Sequence, residues 1–177
     1  MDTLMIDNLS GSFNKKEFID NIITPENNIN LELHYSSRFE NAKILRDFIE
    51  VIFYKINVGS KYLSRFILAT DEMNNNAIEY GSMSGEKNTL RIKISNSGEK
   101  IKIIIEVEDT GKGKNHKTAK QMEDFKEEKI KNGLYDNHSI RGRGLFIIIV
   151  NIVDVLYFKD SQQGGLIVGI EKEIHKI

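Results

Sequence analysis

Cysteine is absent from the 177 residues of this chain. Its absence excludes disulfide bonds, thiolate metal sites and cysteine nucleophiles, and it is consistent with a reducing compartment. The chain also lacks a run of about 18 uninterrupted apolar residues, which a membrane-spanning helix needs. Its first residues lack the basic start and continuous apolar stretch of a secretory leader. We therefore expect a cytoplasmic protein that has no membrane partner.

A large excess of charge of either sign is also missing, since the formal net charge is -1. Binding to a phosphate backbone needs a basic surface, so we expect no nucleic-acid partner. Hydrophobic residues make up 40% and charged residues 29% of the chain, which is ordinary for a globular protein and excludes disorder throughout. A chain of this length is sufficient for one domain with a substantial core.

Several familiar catalytic and nucleotide-binding motifs are missing. No GxxxxGK[ST] is present, which excludes a P-loop, and the GxG at Gly142 lacks the third glycine of a Rossmann fingerprint. No nucleophile elbow supports Ser/His/Asp catalysis. The four histidines show no paired metal-ligand spacing: His34, His116, His138 and His175. Any chemistry therefore depends on other groups.

The patterns of apolar residues predict two parts of the chain. Residues 1–29, in which Gly11 and Pro25 interrupt short apolar groups, predict an N-terminal extension with one short helix at Lys15–Ile23. Residues 30–177 predict a single domain. Its elements are a strand at Asn30–Tyr35, helices at Phe39–Ile56 and Leu63–Gly81, a hairpin at Leu90–Asp109, a helix from Leu145 and a hairpin at Val155–Glu171.

This order of elements predicts an α+β fold, a two-layer sandwich in which helices cover one face of a mostly antiparallel sheet. Gly81 is expected to end the second long helix as a C-terminal cap. The lysine-rich segment at about 112–141 predicts no strand, although a short helix fits Gln121–Ile130. Because a long loop inside a compact domain is usually functional or mobile, we expect this segment to be a lid.

The helix at Leu63–Gly81 carries a polar pair beside its apolar stripe. Glu72 and Asn76 are four residues apart, so a carboxylate and a carboxamide point from the same helix face. The run Asn74–Asn76 is poor in helix propensity, because asparagine side chains compete for backbone hydrogen bonds. Its retention suggests a site, while the alternative is a solvated polar face.

Two glycine-containing segments follow. Asp109, Gly111 and Gly113 directly follow a predicted strand, where they could form either a ligand pocket or simply a tight turn. The segment Arg141–Gly144 precedes an apolar run that predicts a helix. A helix N-terminus can bind phosphate through its free N–H groups, although the segment could also be an ordinary helix entry.

The order of the three segments resembles that of the GHKL (histidine-kinase-like) ATPase superfamily. DEMNNNAIEYG is similar to the N-box of that superfamily, VEDTGKG to its first glycine box and RGRGLFIII to its second. The resemblance is strongest to bacterial anti-sigma-factor serine/threonine kinases of the RsbW type. It covers the chain from about Asn30 onward and implies the Bergerat fold of these ATPases.

The resemblance assigns a role to each motif residue. It implies that Asn76 holds a Mg²⁺ ion that bridges the phosphates of ATP, and that Glu72 is the general base for the attacking hydroxyl or water. Asp109 is implied to accept the amino group of adenine. The remaining implied site residues shape the base pocket or cradle the phosphates: Gly111 and Gly113 in the pocket, and Gly142, Arg143 and Gly144 in the cradle.

The activity implied by the resemblance is that of an ATP- and Mg²⁺-dependent protein serine/threonine kinase. Its implied partners are a STAS-type anti-sigma-factor antagonist, which it phosphorylates, a sigma factor, which it sequesters, and a second copy in a homodimer. Two alternatives stay open at this point. One is a nucleotide-gated binding module that transfers no phosphate, and the other is an ATPase whose acceptor is water.

Overall fold

The computed structural model describes residues 1–9, 11–131 and 152–175. In these residues a six-stranded sheet has the spatial order β1-β2-β3-β4-β6-β5. Its strands are β1 (Asp2–Met5), β2 (Ile29–Ser36), β3 (Lys87–Asn96), β4 (Lys100–Glu108), β5 (Val155–Asp160) and β6 (Leu166–His175). The described helices are α1 (Lys15–Ile22), α2 (Glu40–Lys55), α3 (Ser60–Asn76) and α4 (Ala119–Lys131).

The sheet is antiparallel except at one edge, where β1 runs parallel to β2. Alternation of side chains along β3 and β4 explains why these strands pair as they do. Ile92 lies opposite Ile105 and Leu90 opposite Val107, so the apolar residues of both strands fall on the same face. The predicted α+β fold with a mostly antiparallel sheet is confirmed.

The core lies between that apolar face and the helices α2 and α3. Phe48, Phe53 and Phe66 have no solvent exposure, and the ring centroids of Phe53 and Phe66 are 5.1 Å apart across the two helices. Full burial of such a side chain contributes about 1.5–3 kcal/mol. The packing therefore holds α3, with its polar face, in a fixed position against the sheet.

The N-terminal extension packs onto the same body. β1 continues the sheet, and Ile6 and Ile19 are buried in the core. Asp7 accepts hydrogen bonds from the backbone N–H of Ser36 (2.7 Å) and from Asn41 Nδ2 (3.1 Å), which joins the extension to the turn between β2 and α2. The boundary after residue 29 stays a prediction.

Most predicted elements are present with ends shifted by a few residues. The helix predicted at Gln121–Ile130 is α4, which is longer at its N-terminus. The helix predicted from Leu145 lies outside the described residues. No helix within the described ranges is both long and apolar enough to cross a lipid bilayer.

Candidate functional site

Helix α3 buries one of its asparagines and leaves another accessible. Asn74 is 1% exposed, and its Oδ1 accepts a hydrogen bond of 2.7 Å from the hydroxyl group of Tyr35 on β2. Glu72 and Asn76 are only partly buried. Asn74 therefore joins α3 to the sheet through its hydrogen bond, whereas part of the Asn76 side chain is accessible to solvent.

Glu72 has an unusual environment for a carboxylate. Burial raises its pKa, and the negative charge of Asp71 adds to the rise. Asp71 itself pairs with Arg46 of α2 through hydrogen bonds of 2.5 and 2.9 Å. A carboxylate whose pKa lies above its ordinary value is a stronger base once it is ionised.

The end of this helix is wound differently from its body. α3 is α-helical to Asn76, and a π-helical turn then spans Ala77–Gly81. The helical segment ends at Gly81, as predicted, although Gly81 does not adopt the positive φ that glycine often has after a helix. Such π-turns are frequent at functional sites. The reason for glycine at position 81 is found at Asp109 instead.

Asp109 directly follows β4 and is 9% exposed. Its Oδ1 accepts hydrogen bonds of 2.9 Å from the backbone N–H groups of Gly111 and Leu166. Burial raises the pKa of Asp109, although these two hydrogen bonds lower it in part. Both of these hydrogen bonds from described residues end on Oδ1 and not on Oδ2.

Glycines surround Asp109 where no side chain could fit. A Cβ atom at Gly81 would lie less than 3.0 Å from Asp109 Oδ2, and one at Gly165 less than 3.0 Å from the carbonyl oxygen of Asp109. Gly111 has a φ of +69° and would meet the carbonyl of Gly164 in the same way. The backbone of Gly81 and Gly165 therefore packs directly against Asp109, and the backbone of Gly111 packs against Gly164.

Sequence reasoning missed Gly81, Gly165 and Leu166 as parts of this site. Gly164 and Gly165 had the signal of an ordinary hairpin turn between β5 and β6. Gly81 had the sequence signal of a helix terminus. Their contacts with Asp109 arise only when distant segments pack together.

The structure brings Asp109, Gly111 and Gly113 against the end of α3. The N–H of Gly113 donates a hydrogen bond of 3.1 Å to the carbonyl of Gly81. Asn76 precedes Gly81 by five residues, which corresponds to roughly 7 Å along a helix axis. Glu72 lies one further turn away. The helical segment that carries Glu72 and Asn76 therefore ends in contact with the loop that carries Asp109 and Gly113.

An open groove of about 1230 Å³ lies next to this arrangement. It is bounded by the turn between β2 and α2, by the π-turn and by the loop after Asp109, through Arg38, Phe39, Glu79, Met83, Lys112 and Gly113. Glu72, Asn76 and Asp109 are not among its lining residues. The groove thus adjoins the arrangement but is separate from it.

The first part of the predicted lid, as far as Lys131, is docked on the sheet edge. The N–H of Ala119 donates to Asp160 Oδ1 at 2.7 Å, and Lys126 Nζ donates to the carbonyl of Leu156 at 3.4 Å. Thr118 and Gln121 form a capping box at the start of α4. The predicted phosphate cradle, Gly142, Arg143 and Gly144, lies outside the described residues.

The donor set suits a nucleotide with a hard cation. A buried carboxylate between glycine walls can accept a hydrogen bond from the amino group of a flat base. No group of three or more acidic or histidine side chains within the described ranges could hold a metal ion. Asn76 could give one oxygen ligand, and Mg²⁺ commonly takes few ligands from protein and the rest from phosphates and water.

A comparison with protein families gives one match. A family model described as a histidine kinase-like ATPase domain matches residues 35–172. The match begins in β2 and ends in β6, so it includes Glu72, Asn76 and Asp109. A search of curated proteins finds none that matches the chain.

Proposed function

The chain belongs to the histidine kinase-like ATPase domain family, and on that premise we propose that it is an ATP- and Mg²⁺-dependent protein serine/threonine kinase of anti-sigma-factor type. Its proposed substrate is a STAS-type anti-sigma-factor antagonist, and its proposed second partner is a sigma factor that it sequesters. The proposal includes a cytoplasmic homodimer. The observation that carries it is the contact of Gly81, at the end of the helical segment that carries Glu72 and Asn76, with Asp109.

The base pocket in this proposal is centred on Asp109. Its carboxylate accepts a hydrogen bond from the amino group of adenine, while Gly111 and Gly113 let the loop pack closely against Gly164 and Tyr80 and so shape the pocket. Two backbone N–H groups hold Oδ1 in place, which keeps the carboxylate oriented before a ligand arrives. A preoriented acceptor lowers the cost of binding.

In this proposal Gly142, Arg143 and Gly144 would hold the phosphates of ATP, as the resemblance implies, and α3 would supply the ligand of the metal ion. Asn76 holds Mg²⁺ through its side-chain oxygen. When bound, ATP supplies the phosphoryl group and Mg²⁺ neutralises the charge that develops on it. The chain itself positions these groups, which is the main contribution of protein to phosphoryl transfer.

Glu72 is the proposed general base. It accepts the proton of the serine or threonine hydroxyl as that oxygen attacks the γ-phosphorus of ATP. The bond between the γ-phosphorus and the bridging oxygen breaks at the same time, and ADP is the leaving group. The raised pKa of Glu72, caused by burial and by Asp71, supports this role, because a base is most effective when its pKa approaches the working pH. Partial burial also leaves the side chain open to an incoming hydroxyl.

Transfer to protein can be separated from hydrolysis and from binding alone. The protein is mixed with Mg²⁺, labelled ATP and a candidate antagonist domain, and phosphoserine, phosphothreonine and free phosphate are measured. A kinase yields labelled antagonist, and Glu72→Ala abolishes that label while ATP affinity remains. Glu50→Ala, an exposed glutamate on the adjacent helix α2, is the matched control and leaves transfer unchanged.

Other outcomes would reject the kinase proposal. Release of free phosphate, without labelling of any candidate antagonist, would identify an ATPase. Partner binding that responds to ATP and persists in Glu72→Ala, without any phosphate transfer, would identify a nucleotide-gated binding module.

A further inference from the structure

The first turn of the lid contains a buried ring nitrogen without a partner. His116 Nδ1 is inaccessible to solvent and has no hydrogen-bond partner in the described part of the chain. Buried polar groups are nearly always hydrogen-bonded, so an unpaired one marks a position where a partner arrives or a small movement completes a contact. The rest of the side chain is accessible, since 24% of it is exposed.

The carboxylate that we place in the base pocket lies close to this nitrogen. His116 Nδ1 is 3.9 Å from Asp109 Oδ1, which is too long for a hydrogen bond. A closing movement of about 1 Å would bring the two atoms into hydrogen-bond distance.

His116 is tied to the wall of the same pocket. Its backbone N–H donates to the carbonyl of Gly113 at 3.4 Å, and the N–H of Gly113 donates to the carbonyl of Gly81. A movement of the lid at His116 would therefore also move Gly113, which is hydrogen-bonded to it. The ring and the carboxylate are held by neighbouring turns of one short segment.

A hydrogen bond between His116 and Asp109 needs a proton on His116 Nδ1. An ionised carboxylate can only accept hydrogen bonds and has about four lone-pair positions. The backbone N–H groups of Gly111 and Leu166 occupy two of them, so about two are left for His116 and a ligand. A neutral histidine carries its proton on one of its two nitrogens. A proton on Nδ1 makes His116 a donor toward Asp109, whereas a lone pair there would face the carboxylate unfavourably.

We propose that His116 is a positioning residue of the base pocket, which donates from Nδ1 to Asp109 when a purine with an exocyclic amino group binds and thereby favours such purines. The proposal rests on the proposed function, because it needs Asp109 to be the acceptor of the base. His116 acts through the carboxylate and not on the base itself. Its effect must therefore depend on the amino group of the ligand.

The test compares two nucleotides in the full chain by isothermal titration calorimetry. ATP carries the amino group, and purine riboside triphosphate lacks it. His116→Ala is expected to weaken ATP binding on the order of tenfold, as for loss of one charge-assisted hydrogen bond, and to change binding of the second nucleotide by less than about twofold. His116→Asn is expected to bind both as the wild type does, because its amide nitrogen is as many bonds from the backbone as Nδ1.

Controls distinguish this effect from misfolding. His175→Ala, an exposed histidine at the end of β6, is expected to change neither affinity. If His116→Ala does not fold, His116→Gln replaces it, because its amide lies beyond the Nδ1 position and the same loss is expected.

Three results would overturn the inference. They are equal losses for both nucleotides, no loss for ATP, and a loss in His116→Asn as large as that in the alanine variant. Failure of the wild type to bind ATP would instead refute the proposed function. A wild type that binds ATP and an alanine variant that binds it equally well would refute the role of His116 alone.

Discussion

Gly81 and Asp109 are in such close contact that a Cβ atom at residue 81 would lie less than 3.0 Å from Asp109 Oδ2. The contact joins the end of the helix that carries Glu72 and Asn76 to the loop that carries Gly111 and Gly113. It therefore sets the distance between the two motifs. Neither motif could move without disturbing the other.

Gly81→Ala should consequently damage nucleotide binding more than it damages the fold. The added methyl group pushes the Asp109 carboxylate away, and overpacking of this kind costs about 1–3 kcal/mol of stability. We expect ATP affinity, measured by calorimetry, to fall by more than about tenfold. Gly11→Ala, at a glycine with open space around its Cβ position, is the control and should bind as the wild type does. Normal ATP affinity in Gly81→Ala would contradict the site geometry.

The rate of phosphate transfer should depend on pH through Glu72. The base must be ionised, so the rate falls as pH drops through the pKa of Glu72, which burial and Asp71 hold above its ordinary value. Asp71→Asn removes the neighbouring negative charge and lowers this pKa, so the decline should move to lower pH. Initial rates at saturating ATP between about pH 4.5 and 8 measure it.

Asp47→Asn is the control for that shift. Asp47 is also an acidic side chain that pairs with a basic one, Lys15, but it is not among the charges that raise the pKa of Glu72. Superimposable pH profiles for wild type and Asp71→Asn would remove Glu72 from the role of base.

Asn76→Ala should separate the contribution of Mg²⁺ from that of the base. Loss of an oxygen ligand is expected to weaken ATP binding in the presence of Mg²⁺ on the order of tenfold, and to leave binding in the presence of a chelator unchanged. Asn75→Ala, at the preceding partly buried asparagine, provides the control. An equal effect of the two substitutions, measured by titration with and without Mg²⁺, would refute the assignment of Asn76.

Asp7 should make the attachment of the N-terminal extension sensitive to acid. Burial acts to raise its pKa, but hydrogen bonds from Ser36 and Asn41 outweigh burial, so the pKa in the folded protein lies below the ordinary value. Because the pKa is lowered in the folded state, the ionised Asp7 carboxylate stabilises the folded protein above about pH 4. This stabilisation is lost as pH falls further.

Asp7→Asn should therefore lower the free energy of unfolding at neutral pH by about 1 kcal/mol, a modest value because Asp7 is exposed. The difference from the wild type should shrink as pH falls below about 4, as measured by urea unfolding at several pH values. Asp2→Asn, on the same extension, should show no difference. A constant difference at all pH values would exclude ionisation of Asp7 as the cause.

The parts of the fold that depend on local pattern were predictable. The pairing of β3 and β4 follows from alternation of apolar with mostly charged residues, which only Ile104 interrupts in β4. Helix α2 follows from apolar residues at helical spacing. β1 was not predictable, because it has four residues, none of them buried, and its pairing with β2 is a long-range contact. The π-turn at Ala77–Gly81 has no local signature that separates it from the helix before it.

The same division applies to the site. Asp109, Gly111 and Gly113 are adjacent in sequence and form a recognisable motif, and so do Glu72 and Asn76. Gly165, from the β5–β6 turn, lies against Asp109 only because distant segments pack together, and His116, from the lid, lies 3.9 Å from it for the same reason. Such contacts depend on how the segments pack, which composition and spacing do not encode.

The most direct test of the central claim is calorimetric titration of the wild type and Asp109→Asn with ATP and Mg²⁺. Asparagine keeps an oxygen for the N–H groups of Gly111 and Leu166, so the fold should persist, but it offers an N–H group where the adenine amino group needs an acceptor. We predict saturable binding at one site in the wild type and a loss of affinity on the order of a hundredfold in the variant. No binding by the wild type, or equal affinity in a folded Asp109→Asn, would contradict the account.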